Sequence, residues 1–476
     1  MSGGRRAARN TAALIASRLV SAVFSAALVV YAARRLGDAG FGSYSFILVF
    51  VSYFYAVATL GMRDLIVRDV SREKEKAGAY IGTASALSAV RGAVSVVLIL
   101  AASRWIRGAE GIRAPLAIAA VSVLPTALYS PFDAIFRAYE RMDYSASVEA
   151  LWNAARVVGG IAALAAGGGL TALLLVFCLA EAGKALHACA WCSRAFRTGD
   201  WTFDPSLMRY LAGRSFPLMI WGLVGIIYYK VDIIMLMQMR GPGEVGWYSA
   251  PYRVIDLLTM CALFAAQAAL PLLSEYHRRG GDLFPSLARR LLAWFVSAYL
   301  AAACLLTVFA APLVAAVYGP GYAPSVPVLR VLGWSSVLVA TSYLFGNILM
   351  AMDRYVFAVK AAVLTTALNV VLNLVLIPRH GAAGAALATL IGEIATFAVL
   401  YAYIAGHGPA GFSWRLLCAV LAASAAAVAA SWGALALRLA PLPAGAMAAG
   451  CCAAAAWAAG LVRAGDLALL RRIARP

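Results

Sequence analysis

Charged side chains are scarce in this chain of 476 residues. Asp, Glu, Lys and Arg make up only 13% of it and hydrophobic residues 63%, whereas charged residues are about a quarter of a soluble domain. The GxxxxGK[ST], HExxH and GxSxG patterns of nucleotide sites, zinc proteases and serine hydrolases are also missing. Only four histidines are present, and the eight cysteines fall in or beside apolar runs. We therefore expect no metal centre and no enzymatic activity.

Long apolar runs fill most of the chain instead. A helix needs about 20 residues to cross a bilayer, whereas outer-membrane strands alternate over about ten. The runs here do not alternate and match the helical length, so the sequence predicts an all-α integral membrane protein with about 14 transmembrane helices. The predicted helices occupy residues 11–33, 41–62, 79–102, 114–134, 144–166, 170–192, 215–238, 251–273, 291–317, 327–349, 355–377, 384–405, 416–437 and 444–462.

Basic residues are distributed unevenly between the two sides of these helices. Of the 40 Lys and Arg residues, 24 fall on the side that holds both termini and eight on the other side. Lys and Arg are retained on the cytoplasmic side of membranes. Both termini are therefore predicted to be cytoplasmic, and the net charge of +19 is attributed to membrane topology rather than to nucleic-acid binding.

An internal repeat divides the chain. The segment GDAGFGSYS, which starts at Gly37, recurs 204 positions later as GPGEVGWYS. Two further matches occur at offsets of 210 and 212: Met142-Asp143 with Met352-Asp353, and Gly169 and Glu181 with Gly381 and Glu393. Six helices separate equivalent points, which predicts parallel repeats with a central cleft that opens to either side in turn. The predicted parts are an N-lobe (1–192), a cytoplasmic linker (193–214), a C-lobe (215–405), and two added helices with a basic tail (406–476).

Charges within the predicted helices are costly and need partners or water. Two pairs are spaced three residues apart and are predicted to neutralise each other on one helix face, Glu181 with Lys184 and Arg253 with Asp256. Six other cations have no acid three or four positions away: Arg18, Arg91, Arg156, Lys230, Arg330 and Lys360. These need an interhelical partner, water or an anionic ligand.

Several segments carry a family resemblance. They are RLG at 35–37 with GSY at 42–44, YKVDIIM at 229–235, VGWYSA at 245–250, and LNL at 372–374 with Ile377-Pro378, Gly381 and Gly384-Ala385-Ala386. Together they resemble the Wzx-type oligosaccharide flippases of polysaccharide biosynthesis, in the superfamily that also contains MATE exporters and the lipid II flippase MurJ. The likeness spans roughly residues 10 to 405.

The resemblance implies transport of an undecaprenyl-pyrophosphate-linked oligosaccharide from the cytoplasmic to the outer leaflet of a bacterial or archaeal inner membrane. The lipid-linked glycan and membrane lipid are then the expected partners. Polysaccharide polymerases or glycosyltransferases are further candidate partners, and a monomer is expected. The alternatives are a MATE-type exporter of small molecules or cations, a MurJ-like lipid II flippase, and a membrane polymerase or ligase acting on the same lipid.

A pyrophosphate cargo needs cations along its path. Arginine suits this task because its planar fork binds phosphate oxygens bidentately. Arg18, Arg91 and Arg156 are the primary candidates, with interhelical pairing as the alternative role for each. Lys230 and Arg253 are secondary candidates for the opposite wall. Tyr53 and Tyr228 are candidates for stacking on sugar rings.

Transport also needs an energy source. The resemblance implies a sodium site formed by Asp232, Asn369, Asn373 and Thr389, with Asn373 standing where an acid is expected. Sodium prefers oxygen ligands, as other hard cations do. The two asparagines could instead hold helices together, and Asp232 or Glu393 offers a route for protons. No other cofactor is expected. The last two predicted helices either add a lateral groove for the lipid tail or serve only for packing.

Overall fold

The computed structural model describes residues 3–59, 61–106, 109–196, 200–407 and 414–436, with a few isolated positions beyond 442. These residues form helices joined by short turns, and they contain no strand. The helices are α1 (Gly3–Thr59), α2 (Met62–Arg72), α3 (Ala77–Ala102), α4 (Arg113–Val121), α5 (Val123–Ala138), α6 (Met142–Ala165), α7 (Gly169–Ala195), α8 (Pro205–Arg240), α9 (Pro242–Arg279), α10 (Leu283–Tyr318), α11 (Ser325–Ala351), α12 (Tyr355–His407) and α13 (Trp414–Ala436). The all-α prediction is confirmed.

Each of the first thirteen predicted helices overlaps a helix of the structure, and the fourteenth, 444–462, lies outside the described residues. Ten segments of the described chain are long and apolar enough to cross a membrane. Two of them, Phe24–Arg72 and Tyr355–His407, hold 49 and 53 residues. Backbone kinks at Gly37 and Gly381 break α1 and α12, the helices of these two segments. Each of these helices thus supplies two lengths that reach or exceed the roughly 20 residues that a crossing needs.

Several helix boundaries differ from the sequence prediction, and three of the differences have a local cause. The basic segment after the second predicted helix forms α2, whose apolar residues recur at helical spacing and are buried. Helix α8 starts ten residues early, because Asp204 caps it by accepting from the backbone N–H groups of Ser206 and Leu207. The fourth predicted helix is broken at Ser122. Pro125 lacks the N–H that would bond the carbonyl of Val121.

Backbone geometry repeats where the sequence repeats. Gly37 and Gly241 adopt the same conformation, with φ of 70° and 89° and ψ of −178° at both. Glu140 and Asp353 are the only non-glycine residues with positive φ in the described chain, at 59° and 56°. The repeat therefore aligns Glu140 with Asp353, an offset of 213. The offset of 210 predicted at this turn is wrong because the Met-Asp pairs occupy different positions of it.

The chain forms two compact units, residues 17–246 and residues 1–16 with 247–476, called here the first and second unit. In the first unit, α3, α5 and α7 enclose a core that includes Ile81 and Phe136. In the second, α10, α11 and α12 pack around Phe345. Helix α8 belongs to the first unit, and the lobe boundaries inferred from the sequence stay a prediction.

Two equivalent glycines of the repeat allow close contact inside the first unit. A Cβ on Gly42 would lie 1.8 Å from the carbonyl oxygen of Pro242, and a Cβ on Gly246 would lie 2.1 Å from that of Asp38. Any side chain at either position would collide with backbone. The glycines thus fix the start of α9 against the segment that follows the kink in α1.

Candidate functional site

Arg156 lies on α6 with its side chain half-buried. Its Nη2 donates to Asn153 Oδ1 at 2.5 Å, and the same oxygen accepts from the hydroxyl of Ser25 on α1 at 3.2 Å. The guanidinium carbon lies 5.7 Å from the ring centroid of Phe177 on α7. Among the described residues no carboxylate pairs with this group. Its charge is oriented by an amide and a phenyl ring but is not neutralised.

Arg91 on α3 points to the start of α8. Its Nη2 donates to the hydroxyl of Ser215 at 2.9 Å and approaches the carbonyl oxygen of Ala212 at 3.5 Å. Its Nη1 is buried with no hydrogen-bond partner among the described residues. The interhelical alternative therefore applies to Arg91, although through a hydroxyl and a carbonyl rather than an acid.

The other candidates for anion and sugar binding differ in how much of them the structure describes. The side chains of Arg18 and Tyr228 lie outside the described residues, although both positions are helical. Lys230 is half-buried on α8. The hydroxyl of Tyr53 is buried with no hydrogen-bond partner in the described chain, and it lies within electrostatic range of Asp232. Tyr53, the candidate for stacking on a sugar ring, and Asp232, the candidate ion ligand, thus lie near each other inside the first unit.

Both predicted ion pairs are confirmed. Lys184 Nζ lies 2.5 Å from Glu181 Oε2, and the same oxygen accepts from Thr126 at 3.0 Å. Arg253 Nη1 lies 3.8 Å from Asp256 Oδ2. Arg253 therefore has a local counter-charge, which weakens it as an anion ligand. Lys360 is exposed, and Arg330 donates to the carbonyl oxygen of Thr307 at 3.1 Å and stacks on Trp432 of α13.

A polar face without a counterpart in the sequence predictions starts at the break between α4 and α5 and continues along α5. Ser122, Thr126, Tyr129 and Asp133 recur at spacings of four, three and four, which is a helical period. Asp133 is buried and bonded to Arg137 at 2.8 Å and to the hydroxyl of Ser145 at 2.5 Å. The spacing of these polar residues within an apolar run was the signal. This face lines the interior of the first unit with hydroxyl and carboxylate groups.

The ion-coupling candidates of the second unit lie on α12. Asn373 Nδ2 donates to Asn369 Oδ1 at 2.9 Å, whereas Asn373 Oδ1 is fully buried with no donor among the described residues. Thr389 lies 3.4 Å from the hydroxyl of Tyr248. Glu393 is buried and accepts from the hydroxyl of Ser342 at 3.4 Å. Asp232 falls in the first unit, so the described contacts do not join it to this set.

Comparison with known families decides the class of this protein. A model described as "Polysaccharide biosynthesis protein" matches residues 7–277, more than half of the chain. The chain belongs to this family. It is also 22% identical over 402 residues to the "Probable low-salt glycan biosynthesis flippase Agl15" of Haloferax volcanii, with 81% of each chain covered.

Two solved structures share the fold. The lipid II flippase MurJ in its inward closed conformation gives a TM-score of 0.70 at 14% identity, covering 92% of this chain and 98% of that one. An inward-facing multidrug resistance MATE family transporter of the MOP superfamily gives 0.67 at 15% identity, covering 80% and 93%. The resemblance drawn from the sequence is confirmed. This family member is a multi-pass membrane protein, and its relatives are flippases and transporters rather than enzymes.

Proposed function

We propose that this member of the polysaccharide biosynthesis family flips an undecaprenyl-pyrophosphate-linked oligosaccharide from the cytoplasmic to the outer leaflet by alternating access. The family match and the glycan flippase of Haloferax volcanii support the cargo class. The observation that carries the proposal is Arg156, a guanidinium on a membrane helix with no carboxylate partner in the described chain. A charge at such depth is retained where it meets an anion or water.

The location follows from the same proposal. The chain resides in the cytoplasmic membrane of a bacterium or archaeon with both termini inside, which the distribution of Lys and Arg supports. Polysaccharide polymerases or glycosyltransferases act before or after it on the same lipid. Arg156 and Arg18 contact the pyrophosphate, with Arg91 and Lys230 as further cations. Tyr53 contacts the sugar.

Transport in reconstituted vesicles tests the function. Purified protein in liposomes is expected to move a fluorescent polyprenyl-pyrophosphate oligosaccharide across the bilayer. A neutral glycolipid with the same oligosaccharide should not move, because it offers no anion to the arginines. Equal movement of both lipids would contradict the proposal. Transport of a cationic dye in their place would favour a MATE-type exporter, and preference for lipid II a MurJ-like flippase.

Sodium is the coupling ion that the second unit supports best. The buried Asn373 Oδ1, which lacks a donor among the described residues, is an oxygen of the kind that hard cations prefer. Asn369 and Thr389 supply further oxygens on the same helix. Asp232, the fourth ligand implied by the family resemblance, lies in the first unit and stays a prediction. Protons taken up by Asp232 or Glu393 are the competing route.

Replacing Asn373 by leucine is expected to raise the sodium concentration for half-maximal transport by about tenfold or more, because one buried oxygen ligand is lost. The measurement is transport in the same vesicles against a series of sodium gradients at constant pH. Thr366→Val is the matched control, since Thr366 lies on the same helix and, within the described chain, donates only to the carbonyl of Ala362. Unchanged sodium dependence in Asn373→Leu would shift the coupling to the proton route.

A further inference from the structure

A cavity of about 460 Å³ opens in the first unit where α6 begins and α7 ends. Its lining includes Arg141, Asp143, Tyr144, Ser147, Trp191 and Arg194. The membrane-spanning segments Met142–Ala165 and Gly169–Ala195 begin and end here. The cavity therefore lies at the edge of the apolar belt, on the side predicted to be cytoplasmic.

Aromatic rings line this edge. Tyr144 and Trp191 meet edge to face with centroids 5.0 Å apart, and Phe196 packs against Tyr144 at 5.5 Å and Tyr139 at 5.0 Å. Tyrosine and tryptophan concentrate at the level of lipid headgroups, where one end of the ring is apolar and the other wet. This cluster places the cavity at headgroup depth.

The lining carries a surplus of positive charge. Arg141 bonds both oxygens of Asp143, through Nε at 3.0 Å and Nη2 at 2.9 Å, and stacks 4.5 Å from the centroid of Tyr144. Its hydrogen bonds to Asp143 raise the pKa of Arg141, so the guanidinium stays charged and is held in place. Arg194 is exposed and makes no ion pair or hydrogen bond within the described chain. Two guanidinium groups thus face one carboxylate, which leaves the lining with a net positive charge.

The second unit offers an internal comparison. At the offset of 213, Arg141 and Tyr144 correspond to Arg354 and Phe357; at 212, Trp191 corresponds to Tyr403. There the rings of Phe357 and Tyr403 stack flat, with centroids 3.6 Å apart and an interplanar angle of 12°. Arg354 donates to the Tyr403 hydroxyl at 3.2 Å. Such stacking leaves no room for a ligand between the rings.

Two charged residues of the cavity lining in the first unit have no charged counterpart in the second unit. Arg194 corresponds to Gly406, and Asp143 corresponds to Val356. In the second unit the equivalent arginine, Arg354, bonds the hydroxyl of the stacked Tyr403 ring. In the first unit Arg141 bonds Asp143 instead, the rings of Tyr144 and Trp191 stand edge to face, and Arg194 supplies a second guanidinium.

We infer that this cavity is a binding site for the phosphodiester of an anionic phospholipid headgroup. Arg194 and the free edge of Arg141 bind the phosphate oxygens, since guanidinium groups match phosphate geometry. Tyr144 and Trp191 pack against the glycerol. None of the residues proposed to contact the glycan lines this cavity, and the inference does not depend on them.

Native mass spectrometry of the purified full-length protein tests this assignment. Dioctanoyl phosphatidylglycerol is titrated against dioctanoyl phosphatidylcholine, whose choline cation offsets its phosphate, and against inorganic phosphate. We expect phosphatidylglycerol to bind most tightly. Arg194→Gln should weaken it by about tenfold, as loss of a charged hydrogen bond does. Arg209→Gln, an exposed arginine on α8 that does not line the cavity, should bind as the wild type does.

Three outcomes would overturn the inference. Equal binding of phosphatidylglycerol and phosphatidylcholine, or equal losses in Arg194→Gln and Arg209→Gln, would show that the cavity does not select an anionic headgroup. Binding of inorganic phosphate as tight as that of phosphatidylglycerol would remove the lipid from the assignment. Because Arg194 is exposed and unpaired in the described chain, its replacement should leave the melting temperature unchanged, so a loss of binding is not a loss of fold.

Discussion

Replacing Arg156 by glutamine is expected to lower the transport of a polyprenyl-pyrophosphate oligosaccharide by about tenfold to a hundredfold, the effect of losing one or two charged hydrogen bonds. The guanidinium is oriented by Asn153 and Phe177 but has no carboxylate partner in the described part of the chain. It therefore loses little interaction energy within the protein when it turns to an anion. The rate at substrate concentrations below saturation is the quantity to measure.

The lysine variant separates charge from geometry. Arg156→Lys keeps the positive charge but loses the planar fork that binds two phosphate oxygens at once. We expect Arg156→Lys to transport at a rate between those of the wild type and Arg156→Gln. Other uncharged residues at this position should transport at about the rate of Arg156→Gln. If Arg156→Lys is folded but transports as poorly as Arg156→Gln, the bidentate geometry is essential and the charge alone is not sufficient.

Lys360→Gln is the matched control for Arg156→Gln, because it removes a cation from a membrane helix at an exposed position. It should transport at the wild-type rate. Melting temperatures and membrane yield of both variants should stay close to wild type, since Arg156 makes only one hydrogen bond in the described chain, to a neighbour on its own helix. Wild-type transport by Arg156→Gln would remove Arg156 from the anion path.

The sequence predicts the helices well because hydrophobic length and helical spacing are local properties. The pairs Glu181 with Lys184 and Arg253 with Asp256 were found from a spacing of three alone, and both are confirmed. The same rule applied to amides as well as acids would have found Asn153, three residues before Arg156. Asn153 is therefore a partner that local spacing alone indicates.

Other features depend on contacts between distant segments and have no local signal. Arg91 meets Ser215, which is 124 positions away, and Arg330 meets the carbonyl of Thr307 on another helix. Hydropathy does not report which face of a helix meets which neighbour. The break at Ser122 did have a signal in Pro125, but a proline inside an apolar run also occurs in unbroken membrane helices. Arg141 bonds Asp143 whereas the equivalent Arg354 bonds Tyr403, and the change of Asp143 to Val356 that accompanies this difference is visible only after the repeat is aligned at the offset of 213.

Removing the guanidinium of Arg91 is expected to destabilise the protein by about 1–3 kcal/mol, since a buried hydrogen bond between helices is lost and Ser215 is left without its donor. Arg91→Gln should therefore lower the melting temperature by several degrees as well as lowering transport. Thermal unfolding in detergent, followed by tryptophan fluorescence, measures the first effect. Vesicle transport measures the second.

A double-mutant cycle with Ser215→Ala distinguishes the two roles of Arg91. If the guanidinium serves mainly to hold α8 against α3, Ser215→Ala should add little to the destabilisation caused by Arg91→Gln, and the two changes should be coupled by about 1–2 kcal/mol. Strictly additive effects would contradict the interhelical role. If Ser215→Ala leaves transport intact while Arg91→Gln abolishes it at wild-type stability, the Nη1 atom, buried with no partner in the described chain, is the group that meets the anion. The prediction from these contacts is coupling, because the Nη2 atom already makes a 2.9 Å bond that only Ser215 supplies.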